Sequence, residues 1–356
     1  MQNKIKCGVI GAGWWATFAH IPALLAHPNT ELVAIQNDNL HEAKKIAHDF
    51  QIPIACTTAR QLLAIEGISA IVVSSSPHLH YHDAYAALAL GKHVLIEKPM
   101  TLTVAEAMEL VKMADEHRVQ FLISCPWHHT AHAIEAQRLI RNGSLGHIRM
   151  ISALMTNPID DLLRGVNTQP THGKPYMHPR VGTYSDPKIA GGGQIFAQVC
   201  HAAAYLTFLT GAGPSEVFAR FHNDGAGFDI YDALDLRMED SSIVTIASTG
   251  ATSLERKDFE VRVFGTEAIL FLDLWRGKLE FVPLAGKPHV YADLEEAAIY
   301  PHQAPAINLI DSVLNPLRNQ SPATLGVAAM KVIEGATRSV KSGSNILVSS
   351  LVEQLV

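Results

Sequence analysis

The sequence predicts an α/β chain in two parts: a parallel sheet covered on both faces by helices, then an α+β part with a large, mainly antiparallel, open sheet. Three observations predict this. The first 122 residues alternate apolar, strand-like runs with segments of helical period. Beyond them, strand-length runs follow one another through short turns, without helices between. And 356 residues are more than one ordinary hydrophobic core organises. The expected domains are residues 1–122 and 123–356.

The elements follow in order. KIKCGVIGAG is an apolar run ending in glycines, and WWATFAHIPALLAHP has helical period and stops before Pro28. ELVAIQN reads as a strand, HEAKKIAHDF as a helix, AIVVSSS as a strand, and HDAYAALALG as a helix closed by Gly91. HVLIEKP, the helix TVAEAMELVKMADEHR and the strand VQFLISC complete the first part. Continuous apolar strands alternating with helices mean a parallel sheet buried on both faces. The helix AHAIEAQRLIRNG then ends at Gly143 and leads into IRMISALMTN. Further strands are EVFARFHN, YDALDLRM, SSIVTIASTG, DFEVRVFG, AILFLDL and KLEFVPL, with turns such as Glu239-Asp240 and Arg276-Gly277. Such spacing describes an antiparallel sheet. The stretch 157–190, rich in Pro, Gly, His and Asp, is irregular, and loops of that length are functional or disordered. NLIDSVLNPLR and TLGVAAMKVIEGATRSVKSG return to helix.

Composition narrows the class. Hydrophobic residues at 48% and charged residues at 17% describe a chain with a well-filled core. A net charge of −6 is not the basic footprint that nucleic acid requires. No run of about 18 apolar residues is present, so no membrane span is expected. The first residues enter a strand at once, so no signal peptide is expected either. Cys7, Cys56, Cys125 and Cys200 are scattered without a CxxC pair; free thiols and a cytoplasmic location follow.

Two motifs carry chemistry. GVIGAGWWA places Gly11-x-Gly13-x-x-Ala16 directly after a strand and before a helix. The first glycine makes a tight turn, the second lets backbone N–H groups approach a pyrophosphate, and the small third residue packs helix on sheet. This is the Rossmann fingerprint of a nicotinamide-dinucleotide site, and Gly11, Gly13, Trp14, Trp15 and Ala16 form its loop. The second strand ends in Gln36-Asn37-Asp38. A carboxylate there accepts the adenosine-ribose hydroxyls and repels a 2′-phosphate. With Asn37 at that position, Asp38 beside it and no arginine close in sequence, the reading favours NAD and leaves NADP open.

The second motif is GGGQIFAQVCH. Gln194, Gln198, His201 and Tyr205 fall at helical i, i+4, i+7, i+11 spacing in a segment otherwise apolar almost all round. Polar groups on such a helix need partners. A plain reading makes His201 a core histidine satisfied by a carbonyl and the glutamines capping groups.

Several stretches together resemble the Gfo/Idh/MocA family, the glucose–fructose oxidoreductases and inositol dehydrogenases. They are GVIGAGWWA, GKHVLIEKPMTLTVAEA with Glu97-Lys98-Pro99, RNGSLGHIR and AGGGQIFAQVCHAAAYLTFLTG. The resemblance implies an NAD(P)-dependent oxidoreductase that passes hydride to or from a sugar, polyol or glycoside. It puts Glu97 and Lys98 near the nicotinamide and makes Lys98 and His201 the proton-handling pair. As an ammonium, Lys98 hydrogen-bonds the substrate oxygen; as an amine, it takes its proton. The family's Asp four residues before the His is Ala197 here, while Gln198 sits three before His201 on the same face. Gln194 and Gln198 then become substrate binders. The family's Thr-Pro-Asn-x-x-His turn reads Ser75-Ser76-Pro77-His78-Leu79-His80, which makes Ser75, Ser76, Pro77 and His80 cofactor contacts. At the domain join, where the family has Asn-x-Arg-aromatic, this chain has PWHHTAH. Trp127 is expected to stack on a sugar face and His128 to bond a hydroxyl, with packing as the other reading of Trp127. The loop THGKPYMHPRVGTYSDPKIAGGG is expected to cover the substrate, with Tyr176, His178, Arg180, Tyr184 and Asp186 as contacts.

Nineteen histidines raise the question of a metal. His78/His82 and His128/His132 have the i, i+4 spacing of shared zinc ligands, but no third ligand stands at a fixed spacing, and no metal is expected. Two alternatives keep the same scaffold: an enzyme whose bound NAD is recycled in place, and a dinucleotide-sensing regulator without catalysis. A homo-oligomer is expected, because a sheet covered by helices on one face leaves an apolar face for a second copy. AILFLDL and VRVFG are the strands expected there.

Overall fold

Residues 4–167 and 175–352 are described by a computed structural model; residues 168–174 of the irregular stretch 157–190 lie outside them. Among the described residues the chain forms two compact units, which are taken in turn. The first comprises the described residues of Met1–Ser124, His172–Thr183 and His302–Gly326; the second those of Cys125–Thr171, Tyr184–Pro301 and Val327–Val356.

Strand–helix alternation resolves in the first unit into a six-stranded sheet of β1 (Ile5–Ile10), β2 (Thr30–Gln36), β3 (Ile54–Cys56), β4 (Ile68–Val73), β5 (His93–Ile96) and β6 (Phe121–Ile123). Its order is β3-β2-β1-β4-β5-β6, and every pair is parallel. The order turns back between β1 and β4, the place where open α/β sheets bind ligands beyond their carboxyl ends. The helix Leu40–Asp49 starts where the Asn39 side chain accepts the N–H groups of His41 and Glu42. The helix Val104–His117 starts at a capping box between Thr103 and Glu106. β3 is missing from the sequence reading, because three residues are too few to show a period.

The boundary at 122 needs correction. The first cut falls after Ser124, but the chain past it returns twice to the first unit. The helix Ala304–Leu314 carries Ala306, Leu309 and Ile310, with Val313, on one face. That face is packed into the core formed by Ile21, Leu24, Leu95 and Leu122. Apolar residues at three- and four-residue spacing make such a stripe; which core it covers is a tertiary matter.

The second unit holds a nine-stranded sheet: β7 (Ile148–Thr156), β8 (Pro214–His222), β9 (Tyr231–Met238), β10 (Ile243–Thr249), β11 (Asp258–Gly265), β12 (Ala268–Asp273), β13 (Lys278–Pro283), β14 (His289–Val290) and β15 (Ile346–Leu347). The order is β14-β13-β12-β11-β7-β10-β9-β8-β15. The β7–β10 pair is parallel and the others antiparallel. β9 and β10 alternate strictly, with Leu234, Leu236, Val244 and Ile246 buried. On the other face Met150, Tyr231 and Ile243 are exposed, interleaved with the exposed Asp235, Arg237 and Arg262. This face is less apolar than expected: in VRVFG both valines, Val261 and Val263, point into the core. No described helix is long and apolar enough to cross a membrane.

Candidate active site

The glycine loop follows β1. Gly11 has φ +79°, and a Cβ there would lie 2.2 Å from the backbone nitrogen of Ser75. This glycine is required by the fold itself, because the loop is pressed against the turn after β4. Gly13 is different. A Cβ there would meet nothing nearer than the Gly11 carbonyl oxygen, at 3.9 Å, so packing does not demand a glycine. Open space beside a backbone that must approach a pyrophosphate fits a dinucleotide. Ala16 is fully buried and begins a π-helical turn, Ala16–His20.

That turn has a consequence for the Glu97-Lys98 pair. A π turn closes i→i+5 bonds, which stacks residues five apart. Trp15 and His20 therefore reach one atom: the Trp15 indole N–H donates to Glu97 Oε1 at 2.9 Å, and His20 Nε2 lies 2.8 Å from the same oxygen. The other oxygen, Oε2, accepts the backbone N–H of Lys98 at 3.1 Å. Burial pushes the Glu97 carboxyl up, but His20, the Lys98 charge and Ser124 outweigh it and hold the group below its usual range. Glu97 is thus a buried carboxylate with engaged oxygens. It ties the first helix to the turn that carries Lys98. Lys98 itself is half-buried, two residues past the end of β5.

His80 also takes a different part. It is buried, with Nδ1 2.7 Å from the Pro99 carbonyl and Nε2 2.9 Å from the Ser75 carbonyl. Burial keeps its pKa below the ordinary value against the pull of those carbonyls, so a neutral ring donates to one of them at a time. Its position makes it a brace between two turns rather than a cofactor contact. Ser75 Oγ donates to Asp83 at 2.7 Å. Ser76 is the N-cap and Pro77 the first residue of the helix Pro77–Ala89; both are half-buried at the carboxyl end of the sheet. Trp14 and Trp15 are half-buried and meet edge to face at 5.2 Å.

At the end of β2 the expectation changes most. Asn37 is buried, and its amide donates to the Ala12 carbonyl (3.0 Å) and Glu42 (3.2 Å) while its oxygen accepts from Asn39 N–H (2.9 Å). That oxygen also accepts from Arg180 Nη2 at 3.0 Å, and Arg180 Nη1 spans both oxygens of Asp38 at 2.7 and 3.0 Å. Asn37 therefore has no group left for a ribose hydroxyl. The sequence shows no nearby arginine; the fold brings one from 142 residues away. Tyr176 and Arg180 belong to the first unit and make these contacts within it, and the exposed His178 belongs to it too. Tyr184 and Asp186 belong to the second. Asp186 caps the short helix Pro187–Ala190, and Tyr184 packs on Ile159, Leu162, Leu163, Ala197 and Ile230.

In the second unit the glycine run opens a π turn, Ile195–Val199, continued by the helix Cys200–Thr210. Its start is held by Asp229. The carboxylate accepts Gly193 N–H at 3.2 Å and Ile195 N–H at 2.6 Å, and the Asp229 carbonyl accepts Gln194 N–H at 3.0 Å. Gly193 is essential to this approach, since a Cβ would lie 2.1 Å from that carbonyl. Asp232 faces Asp229 from β9 and is buried too. Its carboxyl is pushed well above the usual range by burial and by the neighbouring carboxylate. Burial likewise raises Asp229, against its backbone donors.

The polar stripe faces inward. Gln194, Gln198, His201 and Tyr205 are all buried. Gln194 donates to Ser248 Oγ at 2.8 Å and is fully enclosed, which makes it an anchor of the helix on the sheet rather than a substrate binder. His201 meets the edge of Trp127 at 5.4 Å and 90°. Trp127 is itself enclosed by Phe259, Trp275 and Tyr300, at 4.9, 5.0 and 4.6 Å. With 2% of its surface exposed it has no face for a sugar; it supports His201. His128 is stacked on Phe208 at 4.6 Å and 5°, and burial drives its pKa well below the ordinary value. It is a neutral core residue, contrary to expectation. The Trp127 indole N–H and the Tyr205 hydroxyl are buried without a hydrogen-bond partner among the described residues.

Comparison with known proteins decides the family. Residues 5–124 match the Gfo/Idh/MocA description "Oxidoreductase family, NAD-binding Rossmann fold", and residues 133–271 match the "GFO/IDH/MocA C-terminal domain". The chain belongs to the Gfo/Idh/MocA family. Its relatives include an uncharacterized oxidoreductase of Synechocystis, 31% identical over 60% of this chain and 53% of that one. Another is the 1,5-anhydro-D-fructose reductase of Ensifer adhaerens, 28% identical over 74% of each. The match thus spans about half the length of the first of these curated relatives. Levoglucosan dehydrogenase, solved in complex with NADH and L-sorbose, shares the fold at TM-score 0.81 and 16% identity, over 98% of this chain and 99% of that one.

Within this Gfo/Idh/MocA chain, no three His, Cys, Asp or Glu side chains among the described residues come together as a metal site requires. The sequence reading missed His20, Asp229, Asp232 and the ring cage around Trp127. For His20 a signal exists, five residues after Trp15, but only a π turn makes that spacing meaningful. For the others no local pattern points to the contact.

Proposed function

We propose that the chain is an NAD(P)-dependent oxidoreductase acting on a secondary hydroxyl, or the corresponding ketone, of a sugar, polyol or glycoside. One observation carries this reading: Lys98 stands two residues past the end of β5 in an NAD-binding Rossmann unit, on a turn tied through Glu97 to the glycine-loop helix. The names of the relatives, 1,5-anhydro-D-fructose reductase and levoglucosan dehydrogenase, support a sugar-like substrate.

Gly11, Gly13 and Ala16 would hold the dinucleotide, which when bound accepts or gives the hydride. The chain's own residues manage the oxygen and its proton. In oxidation the hydroxyl proton leaves as the carbonyl forms; in reduction the carbonyl oxygen gains one. Lys98, as an ammonium, donates a hydrogen bond to that oxygen and steadies its developing charge. His201 carries an imidazole, which can both accept and donate a proton, and its ring meets Trp127 at 5.4 Å. Gln198, buried three residues before His201, can both donate to and accept from hydroxyls. The outward face of the nine-stranded sheet is where a second copy would pack, and a cytoplasmic location suits the four free cysteines.

The test is spectroscopic. The protein is mixed with NAD or NADP and a panel of sugars, polyols and glycosides, and reduced nicotinamide is followed by absorbance. Lys98→Ala and His201→Ala should each lower the rate by orders of magnitude while dinucleotide binding persists. Full activity in either variant, or no turnover by folded protein with bound dinucleotide across the panel, overturns the reading.

A further inference from the structure

We infer that Arg180 sets how the site treats the 2′ position of the adenosine ribose, so that the chain accepts a 2′-phosphorylated dinucleotide as well as NAD. The inference rests on the first unit being an NAD-binding domain. The end of β2 on its own is acidic: Asp38 is exposed, and Glu42 follows in the next helix. A phosphate placed there would meet like charge. Arg180 changes this. Its Nη1 covers both Asp38 oxygens, and its Nη2 reaches Glu42 Oε2 at 2.8 Å and Asn37 Oδ1 at 3.0 Å.

The guanidinium is delivered to this place by design of the segment that carries it. Tyr176, four residues earlier, donates its hydroxyl to Asp49 Oδ2 at 2.6 Å and accepts from Lys45 at 2.7 Å. Its ring packs on Phe50 at 5.2 Å. Met177 packs on the Rossmann core. Two fastenings therefore hold the segment independently of Arg180. A planar fork that is always charged is the group that recognises a phosphate through paired hydrogen bonds. A phosphate dianion takes the place of Asp38 on the guanidinium, since Asp38, whose side chain is 72% exposed, turns to water at little cost, while Nη2 keeps Glu42. With NAD, which lacks the phosphate, Arg180 stays on Asp38 and nothing is lost.

The experiment is titration calorimetry of the full chain with NAD, NADP and 2′,5′-ADP, for the wild type, Arg180→Ala, Asp38→Asn and the double variant. The wild type should bind both dinucleotides. Arg180→Ala should weaken NADP and 2′,5′-ADP about tenfold or more, or about 1.4 kcal/mol, and leave NAD nearly unchanged. Asp38→Asn should tighten NADP, because it frees Arg180 and removes a like charge beside the phosphate. The inference is overturned if Arg180→Ala weakens NAD and NADP by the same factor, if the double variant binds NADP as tightly as Asp38→Asn alone, or if the wild type binds NAD alone. Binding of neither dinucleotide by folded wild type overturns the domain assignment itself, which is a separate and recognisable result.

Discussion

Asp232→Asn should stabilise the chain relative to the wild type above about pH 4, by an amount that grows with pH until the folded wild-type pair gives up its proton. Asp229 and Asp232 are 7% and 4% exposed and face each other, and two such carboxyls cannot both ionise without large cost. The folded pair therefore keeps a proton that the unfolded chain releases near pH 4, the ordinary carboxylate value of about 3.9. Where the folded state binds one proton more than the unfolded, stability falls by about 1.4 kcal/mol for each rise of one pH unit. The loss begins at the unfolded pKa and ends at the raised folded one; beyond that it is constant. The amide introduced at position 232 can donate to the Asp229 carboxylate without taking up a proton, so this slope disappears. The difference in unfolding free energy between variant and wild type should thus climb by about 1.4 kcal/mol per pH unit across that window and then level off. Denaturant unfolding at fixed ionic strength, in steps of about one pH unit from about 5 to 9, reads the difference and cancels titrations common to both proteins. Parallel stability curves for the two proteins would refute the shared proton. A variant less stable by the same amount at every pH would refute it too.

The remaining predictions concern the loop, the ring cage and the buried histidines. Gly11→Ala should destabilise the fold strongly, because its Cβ would sit 2.2 Å from the Ser75 backbone at φ +79°. Gly13→Ala, with nothing nearer than 3.9 Å, should keep the melting temperature and lose dinucleotide affinity; a drop in both for Gly13→Ala would contradict the contrast. Trp127→Ala should cost about 3–5 kcal/mol in denaturant unfolding as a large core truncation, and an unchanged midpoint would show that the cage carries no load. Burial lowers the pKa of His129 to about 4 and that of His128 well below its ordinary value. The unfolded histidines take up protons near pH 6.5 and the folded ones do not, so stability should fall as pH drops from about 6.5 towards 4. His129→Gln should make that fall shallower, by up to about 1.4 kcal/mol per pH unit.

Much of the fold was legible because it is written in short-range patterns. Period-two alternation marks β9 and β10, Thr103 with Glu106 marks a helix start, and the glycines after β1 mark the loop. Among site residues, the positions of Lys98 after β5 and His201 on its helix were legible from motifs. The surroundings of each were not. Trp127 and His128 read from sequence as ligand contacts because an aromatic ring and an imidazole look the same whether they face a pocket or a core. Only the rings of Phe259, Trp275, Tyr300 and Phe208 around them distinguish the two. Gln194 and His80 were misjudged for the same reason, since the partners that satisfy them lie on other elements.

By itself, the sequence determined the element types, the parallel and antiparallel halves and the dinucleotide loop, because backbone propensity, capping and turn geometry act between residues a few positions apart. Only the tertiary structure decided that the helix Ala304–Leu314 completes the first core, that Glu97 is held by Trp15 and His20, and that Arg180 meets Asp38. Charge pairing and apolar burial have no memory of chain separation. They act on whichever groups the folded backbone brings within a few ångströms.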